Sequence, residues 1–561
     1  MGLSRRVLPS LISISKTNHL RLHLAPQLIN PRTIHAIQGH QLVVNSLCDS
    51  FKRGFNWDTL NQKFDSIVFN NSIIEQVLLQ FKEPPTAAAR ALNFFHWSAK
   101  KTNSKHGVRS YCIAIHILVR NRMFVDAKAL LESLLSNNSE DSLKFMVVDT
   151  MLDTFKVCES TPFVFDLLVQ TYSKLRMLEM GFDVCCYLEG HGYCLNVKTF
   201  NTLIHFVQKS DGYVLVWRIY EHMVNSRVYP NEETVKSMVS ALCKEGKLKQ
   251  YIEVLDRIHG KRCSPMVIVN TSLMFRMFEA GKVEKGLVLM KRLLQKNMIL
   301  DTICYTLVVY AKVKVDSLES ALAVYEEMLK RGFCANSFIY TLFISEYCRR
   351  RQVDEASLLM EEMKNLGLEP YDETFDHLIT GYTRNGKLRE SVMLCNEMME
   401  RGLIPSCSAF NEIVEKISKA GDVKEANALL TRLLDGGFIP DEVTYYHLMN
   451  GYGRDGDIQD VLKLYYELEN SSISPGQLAF SSLIKNLCQC GKMEEAEKYL
   501  TIMKTRSLDP SLCTYDSLIV GHFEKGNKTR ASSLYDEMVT KGLKPSLELR
   551  RLDSTWEASS V

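Results

Sequence analysis

The chain has 561 residues, 46% hydrophobic and 24% charged, with a formal net charge of +3. That balance excludes a disordered or collagen-like chain, because apolar mass suffices for a core and glycine (28) and proline (14) are modest. No apolar run reaches the about 18 residues of a membrane span, and the sixteen cysteines are scattered without C-x-x-C pairs, which reads as reduced, buried small side chains rather than a disulfide framework or a zinc site.

Residues 1–48 carry Arg5, Arg6, Lys16, Arg21 and Arg32 and no acid; the first carboxylate is Asp49. An arginine-rich, acid-free stretch with amphipathic runs such as Leu8–Ile14 has the composition of an organelle transit peptide. Arginine over serine and threonine points to the mitochondrion, with the chloroplast as the alternative. Without that stretch 63 basic residues face 65 acidic ones, a net of −2. A nucleic-acid role therefore has to rest on where charges sit, not on their sum. Residues 49–107 hold predicted helices around Ile73–Phe81 and Thr86–Ala99, on either side of Pro84-Pro85, and are expected to cap the structure that follows. Residues 108–142 read as a degenerate repeat with Tyr111 and Ala127 in repeat positions, and 143–161 as a helical insertion.

A 35-residue period organises residues 162–546. Pro230, Pro265, Pro370, Pro405, Pro440, Pro475, Pro510 and Pro545 share one phase, and Gly246, Gly281, Gly386, Gly421, Gly456, Gly491 and Gly526 share another. Eleven gapless units result, followed by a tail, 547–561. Within 407–441, Phe410, Ile413, Val414 and Ile417 form one helical stripe. Gly421 ends that helix, a second stripe runs from Val423 to Leu433, and Gly437 and Pro440 close it. Each unit is thus a two-helix hairpin that must stack on its neighbours to bury both faces. Ala321, Ala356, Ala426, Ala496 and Ala531 share a phase that predicts close helix approach, and Met223, Met328, Met363, Met398, Met503 and Met538 share one that predicts core.

The unit, best seen in Cys407–Asp441, Glu442–Gly476 and Asp372–Ser406, resembles the pentatricopeptide repeat, of the plain subclass and plant organellar type. The resemblance implies an all-α fold, a right-handed superhelical α-solenoid of stacked two-helix repeats. It implies single-stranded organellar RNA as the partner, read one base per repeat, with other RNA-processing proteins as further partners and a monomeric chain. The implied reader follows the aromatic residue of the first helix, and its mate is the last residue of the unit. Asn201/Asn231 then suggests a pyrimidine, Thr271/Asp301 guanine, Thr306/Asn336 adenine and Asn411/Asp441 uracil. The other pairs, among them Asp166/Asn196, Lys236/Met266, Thr341/Tyr371, Asp376/Ser406, Tyr446/Gly476 and Ser481/Ser511, depart from ordinary combinations. These irregular pairs support a second reading, a helical scaffold that grips a protein within an organellar ribonucleoprotein or ribosome-associated complex.

Eight positions past the reader a basic residue stands in eight units: Lys174, Lys209, Lys244, Lys314, Arg349, Arg384, Lys419 and Arg454. Eight residues return to nearly the same helix face, so these predict a line of positive charge suited to phosphates. Lysine and arginine also favour helix C-termini through the dipole, which is the structural alternative. Catalytic motifs fail: Gly381–Lys387 begins like a phosphate loop but continues with Leu388, and His522-Phe523-Glu524 lacks the cysteine pair of a zinc deaminase. Neither an enzyme nor a cofactor is expected.

Overall fold

The computed structural model describes residues 31–83, 87–102, 105–137, 145–471 and 473–546. The expected transit segment up to residue 30, the Pro84-Pro85 link and the 547–561 tail lie outside them. Among the described residues every regular element is a helix. The chain forms two compact units, divided between Ala241 and Leu242.

In the first unit the helix Pro31–Lys52 runs through the boundary expected at 48/49, and Val44, Leu47 and Cys48 are buried. The cap core therefore begins ahead of Asp49. It gathers around Trp97, whose ring meets Phe51, Phe64 and Phe69 edge-on at centroid distances of 5.6, 6.4 and 5.5 Å. The indole N–H of this buried ring donates to Asn61 at 3.0 Å, so the polar edge is satisfied. Beyond it come the hairpin Val108–Arg120 and Phe124–Asn137, then Met146–Val157, then two further hairpins beginning at Phe163 and Val197.

The second unit shows the repeat at its most regular. Cys407–Ala420 starts at the N-cap Ser406, whose hydroxyl accepts from the Ala409 N–H at 3.2 Å. It stops at Gly421, whose φ of +95° is a left-handed conformation that costs glycine least. The helix buries Phe410, Ile413, Val414 and Ile417 and packs on its partner Val423–Asp435 and on the next first helix, Glu442–Arg454. The alanine and methionine series are core throughout: all five alanines and all six methionines are fully buried. Burying one such methionine is worth about 1.5–3 kcal/mol, so these stripes are a main source of cohesion between hairpins. First helices approach closely where Gly381 and Gly451 stand; a Cβ on Gly381 would lie 2.7 Å from Cys348 Sγ, and one on Gly451 3.1 Å from Ser418 Cβ.

Two features depart from expectation. All sixteen cysteines are unpaired, but Cys186, Cys194, Cys243, Cys334, Cys490 and Cys513 are exposed, so the reading of cysteine as buried hydrophobe fails for these six. The second departure is the Leu248–His259 helix. Elsewhere in this unit a second helix packs on the first helix of its own or the next repeat; this one also packs against Asp301–Lys314 and Ser337–Arg349, first helices further along the array.

Candidate nucleic-acid interface

A first helix leaves its leading N–H groups without partners, and an Asx or Ser side chain at the N-cap supplies one acceptor. Asp441 does this for Glu442–Arg454, its Oδ1 accepting from the Thr444 N–H at 2.9 Å. The same Oδ1 accepts from Asn411 Nδ2, on the first helix of the repeat that Asp441 ends, at 2.9 Å. Thr444 Oγ1 completes a triangle by donating to Asn411 Oδ1 at 2.6 Å. The amide of Asn411 is thereby fixed at both ends, and its edge is oriented by the cap of the next helix.

The triangle recurs in the first unit. Asn201 Nδ2 donates to Asn231 Oδ1 at 3.1 Å and to Glu233 at 2.9 Å, while Thr234 Oγ1 donates to Asn201 Oδ1 at 2.6 Å. Asp166 accepts from Thr199 Oγ1 at 2.6 Å and from the Asn196 N–H at 3.0 Å. Partial versions link Thr341 to Thr374 at 2.7 Å and Ser481 to Thr514 at 2.9 Å. The threonines Thr199, Thr234, Thr374, Thr444 and Thr514 are wholly buried. Sequence reasoning missed them as site residues, although they share one 35-residue phase immediately before the aromatic position.

The remaining expected readers behave differently. Asn336 caps Ser337–Arg349, accepting from the Ile339 N–H at 3.0 Å, and its Nδ2 donates to Thr306 Oγ1 at 3.1 Å. Ile339 stands in the threonine phase, so that pair is joined by one bond rather than a triangle. Thr271 and Asp301 are not brought together by a bond to the threonine: its buried Oγ1 has no hydrogen-bond partner. Leu300 is the N-cap of that helix and Asp301 its exposed first residue, while Cys304 offers no hydroxyl in the threonine phase. At Gly476, which has no side chain to cap with, Glu442 at the start of the same repeat accepts from the Ala479 N–H at 2.8 Å instead. Lys236 is exposed and pairs with Glu232 at 2.8 Å.

Charge at these positions is tuned by the same contacts. Burial works against ionised Asp441, but hydrogen bonds from Asn411 and Thr444 outweigh it and hold its carboxyl below the ordinary value. For Asp166 and Asp376 burial wins, and both carboxyls sit above it despite bonds from Thr199 and Ser406. His377 and His447, each one residue past a reader, are pushed down by burial and so favour the neutral imidazole.

Half of the basic line is engaged by carboxylates. Lys174 pairs with Glu132 at 2.6 Å, Arg384 with Glu412 at 2.6 Å, Arg349 with Asp316 and Glu346, and Lys419 with Glu415. Lys314 Nζ lies 5.5 Å from the Tyr310 ring centroid, and Arg454 donates to the Ser418 carbonyl at 3.2 Å. Lys209 and Lys244 are exposed. Ion pairs open to solvent are worth about 0–1 kcal/mol, so a phosphate can exchange for a carboxylate at little cost, except at Arg349, whose partner Glu346 is buried. Among the described residues no group of three His, Cys, Asp or Glu side chains is arranged to hold a metal, and no helix is long and apolar enough to cross a membrane.

Models of one family match along the array: "PPR repeat family" over 440–489 and 475–522, "Pentatricopeptide repeat domain" over 358–420, and "PPR repeat" over 331–364, 233–263, 303–333 and 513–543. The chain carries pentatricopeptide repeats. The relatives agree. An Arabidopsis thaliana protein, "Pentatricopeptide repeat-containing protein At1g66345, mitochondrial", is 50% identical over 221 residues, 39% of this chain and 40% of its own length. A second, "Pentatricopeptide repeat-containing protein At1g11710, mitochondrial" from the same plant, is 25% identical over 41% of this chain and 34% of its own. The match thus spans well under two thirds of these relatives. Among solved structures, the pentatricopeptide repeat protein PPR10 from maize is similar at 18% identity, over 90% of this chain and 74% of that one, with a TM-score of 0.47.

Proposed function

We propose that this pentatricopeptide repeat protein binds single-stranded RNA of an organelle, one base per repeat, and acts on transcripts by shielding them or holding them open for processing or translation. The reading is carried by the recurring triangle of reader, cap and threonine, which fixes the reader's hydrogen-bonding edge in the same repeat phase wherever it forms. A fixed polar edge at each step is what reading splayed bases requires. Asn411/Asp441 reads uracil, Asn201/Asn231 a pyrimidine and Thr306/Asn336 adenine in this proposal; Thr271/Asp301 is assigned guanine by position alone. Basic residues of the line, Lys209 and Lys314 foremost, take phosphates as RNA displaces their carboxylate or ring partners. The organelle is the mitochondrion, supported by the acid-free, arginine-rich start and by the names of the two relatives. The array is of the plain subclass, with a uniform 35-residue unit.

Filter binding of pooled organellar RNA at two salt concentrations tests the reading. Sequence-biased, salt-sensitive retention supports it; no retention at either salt rejects it in favour of a protein-binding scaffold. A fluorescent fusion of residues 1–60 tests the destination.

A further inference from the structure

The Leu248–His259 helix lies on the reading side of the second unit. Its Tyr251 ring is 6.1 Å from Phe275, one helical turn past Thr271. His259 Nδ1 is 3.1 Å from Thr302 Oγ1, one turn before Thr306. Arg257 donates to Glu373 at 2.8 Å and holds its guanidinium 4.0 Å from the ring centroid of Tyr371, the mate of Thr341. The helix therefore reaches from Phe275 to the start of Asp372–Arg384, along a row of successive first helices. Thr271 and Thr306 beneath it are 0% exposed.

The sequence of the covered helices is matched to this occupant. One turn past the reader, other repeats carry Gln170, His205, Ser345, Thr380 or Glu415, all polar and at least partly open, with the half-buried Val520 the apolar exception. Under the Leu248–His259 helix the same position is Phe275 and then Tyr310, both buried, their rings 5.1 Å apart. The helix answers with its own apolar face, Tyr251, Leu255 and Ile258, also buried. Glycines in left-handed conformation flank it, Gly246 and Gly260 at φ +71° and +67°, so its ends are turns in which glycine is the least strained residue.

We infer that the Leu248–His259 helix is a built-in competitor for RNA. It occupies the face over Thr271 and Thr306, with Arg257 stacked on Tyr371 where a base would stack, and RNA gains those repeats only by displacing it. This rests on the RNA-binding reading above. When the competent state is a minor fraction of the free protein, apparent affinity falls by that fraction, so loosening the helix should tighten binding.

The test uses the full chain and a randomised single-stranded RNA pool, comparing wild type with the double variant Tyr251→Ala/Arg257→Gln. The variant should bind about three- to tenfold more tightly and gain a base preference at two adjacent positions. Losing a positive charge cannot itself tighten RNA binding; Arg262→Gln, an exposed charge-matched control just past the helix, should bind equally or slightly more weakly. Hydrogen exchange should show the 248–259 amides opening faster in the RNA-free variant and in RNA-bound wild type. Unchanged or weaker binding by the variant, with wild type still retaining RNA, overturns the inference and leaves the RNA reading standing. RNA retained by no form overturns both.

Discussion

Thr444 Oγ1 donates to Asn411 Oδ1 at 2.6 Å across 33 residues of chain, tying one repeat's reader to the first turn of the next helix. Thr444→Val keeps the shape and removes the donor. Leaving a buried amide oxygen without its partner costs about 1–3 kcal/mol. The expected result is a lower urea midpoint and weaker discrimination of uracil from cytosine at that repeat; Thr444→Ser should recover most of both. An unchanged base preference would separate the triangle from reading.

Asp376 is the case for pH. Burial raises its carboxyl above the ordinary value, against bonds from Ser406. A raised carboxyl contributes stability that is fully present below its unfolded pKa and is lost as pH rises through the folded one. At neutral pH the buried carboxylate is therefore a net cost. Asp376→Asn retains an oxygen for the Ser406 N–H and should melt at a higher temperature than wild type at pH 7. The difference should vanish below about pH 4, near the unfolded carboxyl value. Asp441 has the opposite sign, and its contribution should fade as acid titrates it.

Thr271 offers a substitution expected to stabilise. Its Oγ1 is buried and unpartnered. Thr271→Val removes a desolvated hydroxyl without opening a cavity and should gain about 1 kcal/mol in chemical denaturation. A loss of that size instead would mean the hydroxyl has a partner in solution.

Gly451 tests the stacking of hairpins. The Cβ of Gly451→Ala would crowd Val423 Cγ2 at 2.6 Å and Ser418 Cβ at 3.1 Å. Overpacking of this kind costs about 1–3 kcal/mol. Val423→Ala makes room, so the double variant should lose less than the sum of the single ones, and a strictly additive result would contradict the contact.

The basic line predicts a contrast in salt dependence. Lys209→Ala should weaken RNA binding for every sequence and reduce the salt slope by roughly one. Glu412→Gln releases Arg384 from its carboxylate and should do the reverse, raising affinity without changing base preference. Titrations at three ionic strengths distinguish the two.

Much of this architecture was legible because a solenoid repeats its demands. The phase shared by Ala356, Ala426 and Ala496 could only be a close approach, and the six methionines could only be core. The threonine phase stood in plain view, but Thr444 beside an aromatic residue reads as a helix-forming position until the next repeat's cap is placed against the previous reader. The seat of Leu248–His259 was hidden for a different reason: the 35-residue frame counts it as an ordinary second helix. Its signal was confined to two repeats, in Phe275 and Tyr310 standing where the others, Val520 apart, are polar. Cysteine misled because a residue that small packs equally well at a helix end such as Cys490 or in a core such as Cys488.

One oxygen of Asp441 both starts a helix and steers the amide of Asn411. Few residue types can do both, and mainly the short acceptors Asp, Asn, Ser and Thr initiate helices well. The vocabulary open to mutation at the end of each repeat is therefore limited by chain folding before any nucleotide is encountered. An array of this kind drifts to a new target more readily through the reader than through its mate, and Gly476 marks where that limit was crossed, with a neighbouring glutamate standing in.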